Sequence, residues 1–223
     1  MEVFVLDHQL LAALVAGLCF CGAAPAAPLS ARATAGVDLQ ARLKEVERDP
    51  KLSESLVKMG AKVAAICDSC HGEGGNSLRT DIPNLASQNP IYHLEQLRQY
   101  AIGQRRDRFM EGMIKAMNSE EKVGMVMFYA TQKVSHKPVQ NAALVAKGKV
   151  LYEDACEHCH SEDGHGDEKL ARIAGQQSVY LNAALKRYRA GTGVRLDARM
   201  AANTKKMTDA DINALVAYTM SMQ

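Results

Sequence analysis

The sequence predicts an all-α chain built from two tandem copies of one helical unit. Three observations predict it. Apolar residues recur every three to four positions between recognisable caps and breakers, and no segment alternates apolar and polar as a half-buried strand would. Landmarks in the first half also recur 88 residues later: Tyr92 with Tyr180, Leu97 with Leu185, Tyr100 with Tyr188, Gly103 with Gly191. A constant offset over so many positions means internal duplication. It divides the chain into residues 38–132 and 141–223, joined by the short segment 131–140 with its Pro138, a connection that favours packed units over swinging ones.

Taken in order, Asp38 caps a helix from Leu39 to Arg48 that Pro50 ends. This helix has no counterpart in the second half. Ser53 caps the next, which carries Leu56, Val57, Ala61, Ala64 and Ala65. Asn89-Pro90 starts a helix with the apolar stripe Ile91, Leu94, Leu97 and Ala101. Ser119-Glu120-Glu121 opens one that turns Val123, Val126, Met127 and Ala130 inward. In the second half Asn141 caps a helix through Leu144, Val145, Gly148 and Leu151; Ser178 caps one with Val179, Leu181, Leu185 and Tyr188; Thr208-Asp209-Ala210-Asp211 opens the last.

The 223 residues are 47% hydrophobic, enough for a core, but only 5% aromatic and without Trp, so a buried cofactor is expected to fill part of each small unit. Residues 1–30 read as a signal peptide and linker: the apolar run Leu10–Phe20 precedes small residues, with cleavage expected between 24 and 33. Glu2 and Asp7 with no Lys or Arg in the first ten residues are atypical, so a retained anchor and a lipid-modified Cys19 or Cys21 stay open. The net charge of +2 excludes a nucleic-acid footprint.

Four of the six cysteines lie in two runs, Cys67-Asp68-Ser69-Cys70-His71 and Cys156-Glu157-His158-Cys159-His160. Each is Cys-x-x-Cys-His, the spacing for covalent attachment of a c-type haem. Two thiols one helical turn apart can each add to a vinyl group of one porphyrin, and the next histidine then lies beneath the iron. The sequence therefore predicts two covalently bound haem c groups, held by Cys67, Cys70, Cys156 and Cys159, with His71 and His160 as axial iron ligands. A zinc site would need the two cysteine pairs to converge, and a thioredoxin-like pair would need a preceding strand. Covalent haem attachment also requires export, which supports the signal-peptide reading.

The sixth iron ligand separates a carrier from a catalyst. Met110 follows His71 by 39 residues and Met200 follows His160 by 40; each precedes a second methionine, Met117 or Met207, by seven. That register makes Met110 and Met200 the axial pair, with Met113 in reserve. Met113, Met117, Met125, Met127 and Met207 read as packing. Among the remaining histidines, His158 lies inside its motif, His93 on a polar helix face and His136 in the joint, which leaves His165 as the rival. Arg105, Arg106 and Arg108 precede or flank Met110, and Arg195, Arg199, Lys205 and Lys206 surround Met200, while Glu153, Asp154, Glu157, Glu162, Asp163, Asp167 and Glu168 surround the second motif. Solvated surface, arginines on haem propionates, or steering of redox partners would each use such charges.

On these motifs, on Ile82-Pro83-Asn84-Leu85-Ala86-Ser87-Gln88 with its copy, and on the closing helices with Tyr129 and Tyr218, residues 55–223 resemble the cytochrome c4 family. The resemblance implies two class I cytochrome c domains facing across a pseudo-twofold, with haem propionates near the interface. It implies that Gly60 and Gly148 lie where the first and last helices of each domain cross. It implies too that the Pro83 carbonyl orients the His71 ring, a place taken by Ala171 in the second copy.

The expected function is a periplasmic dihaem electron carrier, not an enzyme. It would pass single electrons from a respiratory donor such as quinol–cytochrome c reductase to a terminal oxidase or reductase, with peripheral membrane association left open. The alternatives are the dihaem subunit of a flavocytochrome such as sulfide dehydrogenase and, given an open iron, a dihaem peroxidase.

Overall fold

A computed structural model describes residues 38–135, 137–138, 141–191, 195 and 197–222; the leader, Cys19, Cys21 and His136 lie outside these. The described residues form eleven α-helices and one 3-10 turn, with no strand among them. The first half contains α1 (Leu39–Glu47), α2 (Pro50–Ala64), α3 (Asp68–His71), α4 (Pro90–Ala101), α5 (Arg108–Ala116) and α6 (Ser119–Thr131). The second contains α7 (Ala142–Ala155), α8 (Glu157–His160), α9 (Ser178–Ala190), α10 (Ala198–Thr204) and α11 (Asp209–Ser221), matching α2 to α6 in order.

Several caps sit one or more residues from their expected places. Asp38 does cap α1, accepting from the backbone of Gln40 and Ala41. Pro50, however, also begins α2 as its first residue, with Asp49 rather than Ser53 as the cap. Proline lacks the N–H that a helix start would leave unpaired, so one residue both stops α1 and opens α2. Asn118, not Ser119, caps α6 in a reciprocal box with Glu121. Asn141 caps α7 and Thr208 caps α11 as expected.

The tightest packing in each half is the crossing of its first long helix with its last, α2 on α6 and α7 on α11. Gly60 and Gly148 sit at these crossings. A Cβ on Gly60 would lie 2.0 Å from the Gly124 carbonyl oxygen, and one on Gly148 2.0 Å from that of Ala214. No side chain fits at either position. Around its crossing the first half buries Leu56, Ala64, Ile91, Leu94, Val123 and Val126. The unmatched α1 adds the fully buried Leu43 and Val46, and Arg42 ties it to α6 through a two-pronged bond to Glu120. The second half has no such helix. Its buried side chains form two small clusters, around Tyr152 and Leu215 and around Leu181 and Ile212.

The halves meet through reciprocal contacts. The Gln176 carboxamide accepts from Asn84 N at 2.7 Å and donates to Asn84 O at 3.0 Å. Its counterpart Gln88 accepts from Arg172 N at 2.9 Å and donates to Arg172 O at 3.0 Å. Tyr92 N donates to Glu168 O and Tyr180 N to Thr80 O, so each half supplies a carbonyl to the open N-terminus of the other's helix. These pairs are related by the sequence repeat, which makes the interface pseudo-twofold. Asn89, expected as a cap, instead sends its amide across to His165 O and Leu170 O.

Candidate functional site

The second-half site is a cavity of about 330 Å³ lined by Cys156, Cys159, His160 and Met200. Apolar walls come from Leu181, Ala184, Leu185 and Leu215, and Tyr92 and Gln96 of the first half reach its rim. Cys156 ends α7 and Cys159 lies on the single turn α8, which brings both thiols to one side of the cavity with His160 directly after. His160 Nδ1 lies 2.9 Å from the Ala171 carbonyl oxygen. The carbonyl accepts the proton there, which leaves Nε2 as the lone-pair nitrogen. His71 repeats this against Pro83 O, also at 2.9 Å, so the change from proline to Ala171 leaves the contact intact. Burial depresses the pKa of both imidazoles, against the opposing pull of the carbonyl bond, and favours the neutral, metal-binding form.

The methionines are positioned by a shared local device. Met110 and Met200 are each the third residue of a short helix, and their amides donate to the cap residues Asp107 and Asp197 at 3.0 and 3.1 Å. The pattern Asp-x-x-Met is visible at both positions in the sequence and would have singled out this pair without the seven-residue spacing. Met207 also lines the cavity, but it packs into both apolar clusters of the second half, as its reading as a core residue requires. Met125 and Met127 are buried in the first core and Met117 packs against it.

Two expectations are corrected. His93 does not lie on a polar face: it is 5% exposed, its ring centre is 5.9 Å from that of Tyr129, and its Nδ1 has no hydrogen-bond partner. α4 packs on α1, α5 and α6, so less of its surface stays wet than its polar residues suggest. The counterpart of His93 is Leu181, a wall of the second cavity. Arg105 and Arg195, grouped with the surface charges, turn inward onto tyrosines. His165 stays outside the cavity with its ring 3.0 Å from Asp163, and His158 is exposed. Among the described residues no three His, Cys, Asp or Glu side chains converge on a metal site, so the cysteine pairs do not form a zinc centre.

The residues fit a covalently held haem. Each half offers two unpaired thiols, a histidine with one nitrogen already fixed, a methionine on an anchored helix and apolar walls. Burial pushes the Cys156 thiol up to about 12 and raises that of Cys67, so both are protonated thiols in contact with apolar surroundings.

The comparisons agree with this geometry. The family model for cytochrome c matches residues 145–223. Cytochrome c4 of Pseudomonas aeruginosa is 29% identical over 175 residues, which span 73% of this chain and 87% of the relative. The crystal structure of reduced recombinant cytochrome c4 from Pseudomonas stutzeri is 27% identical, with a TM-score of 0.69 over 75% of this chain and 98% of that one. The chain belongs to the cytochrome c4 family. It carries two covalently bound haem c groups in a two-domain all-α fold, and it is a dihaem electron-transfer cytochrome that works with redox partners. A thiosulfate dehydrogenase electron acceptor of Thiomonas intermedia is 31% identical over 141 residues, 58% of this chain and 65% of that protein.

Proposed function

We propose that the chain is a periplasmic carrier in which both haems are closed His/Met centres, residues 38–132 holding the first and 141–223 the second. The observation that carries this is the duplicated ligand geometry: at each site a histidine is fixed through Nδ1 by a backbone carbonyl, and a methionine is fixed by an aspartate cap. Each haem supplies one Fe(III)/Fe(II) couple. Cys67 and Cys70 hold the first haem and Cys156 and Cys159 the second as thioethers, so neither cofactor can dissociate. His71 and His160 present Nε2 to the iron, and the carbonyl bond at Nδ1 keeps ring orientation constant between redox states. Met110 and Met200 fill the sixth positions. With both axial places taken and apolar side chains around them, substrate has no open metal site, and the chain relays electrons rather than transforming a molecule.

The donor is a respiratory quinol–cytochrome c reductase and the acceptor a terminal oxidase or reductase, reached in the periplasm after removal of the leader. A second reading, receipt of electrons from a sulfur-compound dehydrogenase, is favoured by the likeness to the Thiomonas protein. The test of the closed-centre reading is the oxidised optical spectrum, with the weak red methionine-to-iron charge-transfer band quantified per haem. Two equivalents are expected in the wild type and one in each of Met110→Ala and Met200→Ala. One or none in the wild type would refute it and reopen the catalytic alternative at the affected haem.

A further inference from the structure

Arg105 and Arg195 each stand five residues before the candidate methionine of their half. Their guanidiniums converge across the interface. Arg195 donates to Tyr180 OH at 2.9 Å and to Tyr92 OH, and lies 5.4 Å from the centre of the Tyr188 ring. Arg105 donates to the same Tyr180 OH at 3.1 Å and to Gln96 Oε1 at 2.9 Å, and lies 4.5 Å from the Tyr100 ring centre. Tyr180 therefore accepts from two cations at once, using both lone pairs of its hydroxyl. Among the described residues neither arginine has an Asp or Glu within ion-pair distance, although the chain pairs its other interior-facing arginines, such as Arg42 and Arg189, with carboxylates. Burial alone would raise the Tyr180 hydroxyl's pKa, but the charges of Arg195 and Arg105 outweigh it and draw it below its ordinary value.

Two like charges sharing one neutral hydroxyl, away from bulk water, lack a counter-anion. The cluster also borders the cofactor space. Arg195, Tyr92, Tyr180, Tyr188 and Gln96 line the cavity that holds Cys156, His160 and Met200. On the other side, the charge of Arg105 is felt by His71. The anions available at both places are the carboxylates of the two tetrapyrroles. We propose that Arg105 and Arg195, bracketed by Tyr180, form one shared anion site that binds carboxylates of both haems, so that Tyr180 is a positioning residue for both redox couples. Each arginine is held by a tyrosine of the opposite half, which makes the potential of one haem depend on a side chain of the other domain. This rests on the two-haem reading above but not on the methionine assignment.

The test is a spectroelectrochemical titration of the full holoprotein, with the first couple assigned by Met110→His. A guanidinium nearby disfavours the extra positive charge of ferric iron, so its loss favours the ferric form. Arg195→Gln is expected to raise the ferric-to-ferrous ratio of the second haem about tenfold at fixed potential, equivalent to 59 mV for one electron. Arg195→Lys, which keeps the charge, should move it far less. Tyr180→Phe should shift both couples, whereas Tyr92→Phe, which frees Arg195 alone, should shift only the second. Added inorganic phosphate at constant ionic strength should leave all of this unchanged, because the anions are the cofactors' own.

Equal shifts in Arg195→Gln and Arg195→Lys would overturn the charge role. So would an Arg195→Gln shift no larger than that of the exposed control Arg199→Gln. Identical responses to Tyr180→Phe and Tyr92→Phe would overturn the shared bracket, and a phosphate-dependent potential would assign the site to a free anion instead. If Arg195→Gln does not accumulate, the two Phe variants decide, since both keep every charge and ring. A wild-type spectrum lacking methionine bands would count against the closed-centre function and leave this comparison standing.

Discussion

His93 is the residue whose replacement gives the sharpest thermodynamic signal. Burial, then the charges of His71 and Arg105, lower its pKa from 6.5 to about 3. The folded protein therefore holds this imidazole neutral through the mildly acidic range, while the unfolded chain takes up a proton below 6.5. The stability that follows from neutrality is fully present above pH 6.5 and is lost as pH falls toward 3. Linkage between those two values gives a loss of about 2 kcal/mol at pH 5 and about 3 kcal/mol at pH 4, relative to pH 7.5. His93→Leu installs the residue found at the matching position of the second half, Leu181, and also removes the unpartnered Nδ1, worth about 1 kcal/mol of stabilisation at pH 7.5. The assay is denaturant unfolding of oxidised wild type and His93→Leu, followed by circular dichroism at pH 7.5, 6, 5 and 4. Carboxylates titrate alike in both proteins and cancel in the difference. The gap between the two proteins should widen in favour of the variant by about 2 kcal/mol between pH 7.5 and 5. A gap that stays constant with pH would refute the buried neutral imidazole.

Three further outcomes follow from the packing. Gly60→Ala and Gly148→Ala should each destabilise by about 3 kcal/mol or prevent haem incorporation, because the added Cβ meets a backbone carbonyl that cannot move without separating two helices; thermal melts and haem yield check this. Gln88→Ala and Gln176→Ala should each cost about 2 kcal/mol by leaving a backbone N–H and C=O unpaired across the interface. They should also raise amide hydrogen exchange at Asn84 and Arg172, the opposite-half partners, more than in the helix cores. Tyr152→Phe removes the hydroxyl that donates to Ser161 O at 2.6 Å, just after the second attachment motif, and should cost about 1 kcal/mol in chemical denaturation.

The sequence by itself determined what depends on short-range chemistry and on the repeat. The attachment motifs, the proximal histidines, the methionine register, the all-α class and the duplication are all local or periodic patterns. The glycine crossings were reachable through the family resemblance, since Gly60 and Gly148 occupy equivalent places. The aspartates beneath Met110 and Met200 were also legible, as a repeated Asp-x-x-Met, although the seven-residue spacing was the signal used.

What only the tertiary structure decided is where polar residues go when two domains meet. Asn89 and Gln177 occupy cap positions yet point across the interface, because the opposite half supplies buried backbone groups that need partners more than a solvated helix end does. Gln88 and Gln176 look like ordinary loop polars until their backbone partners appear 84 and 92 residues away. His93 reads as polar surface because its neighbours on α4 do, but α1 and α6 cover that face and leave an imidazole without a partner. Arg105 and Arg195 carry the same uncertainty: in sequence they belong to a basic loop, and only the fold turns them toward one tyrosine and toward the haem space. Hydrogen-bond demand and burial are properties of the assembled surface, and no local pattern encodes them.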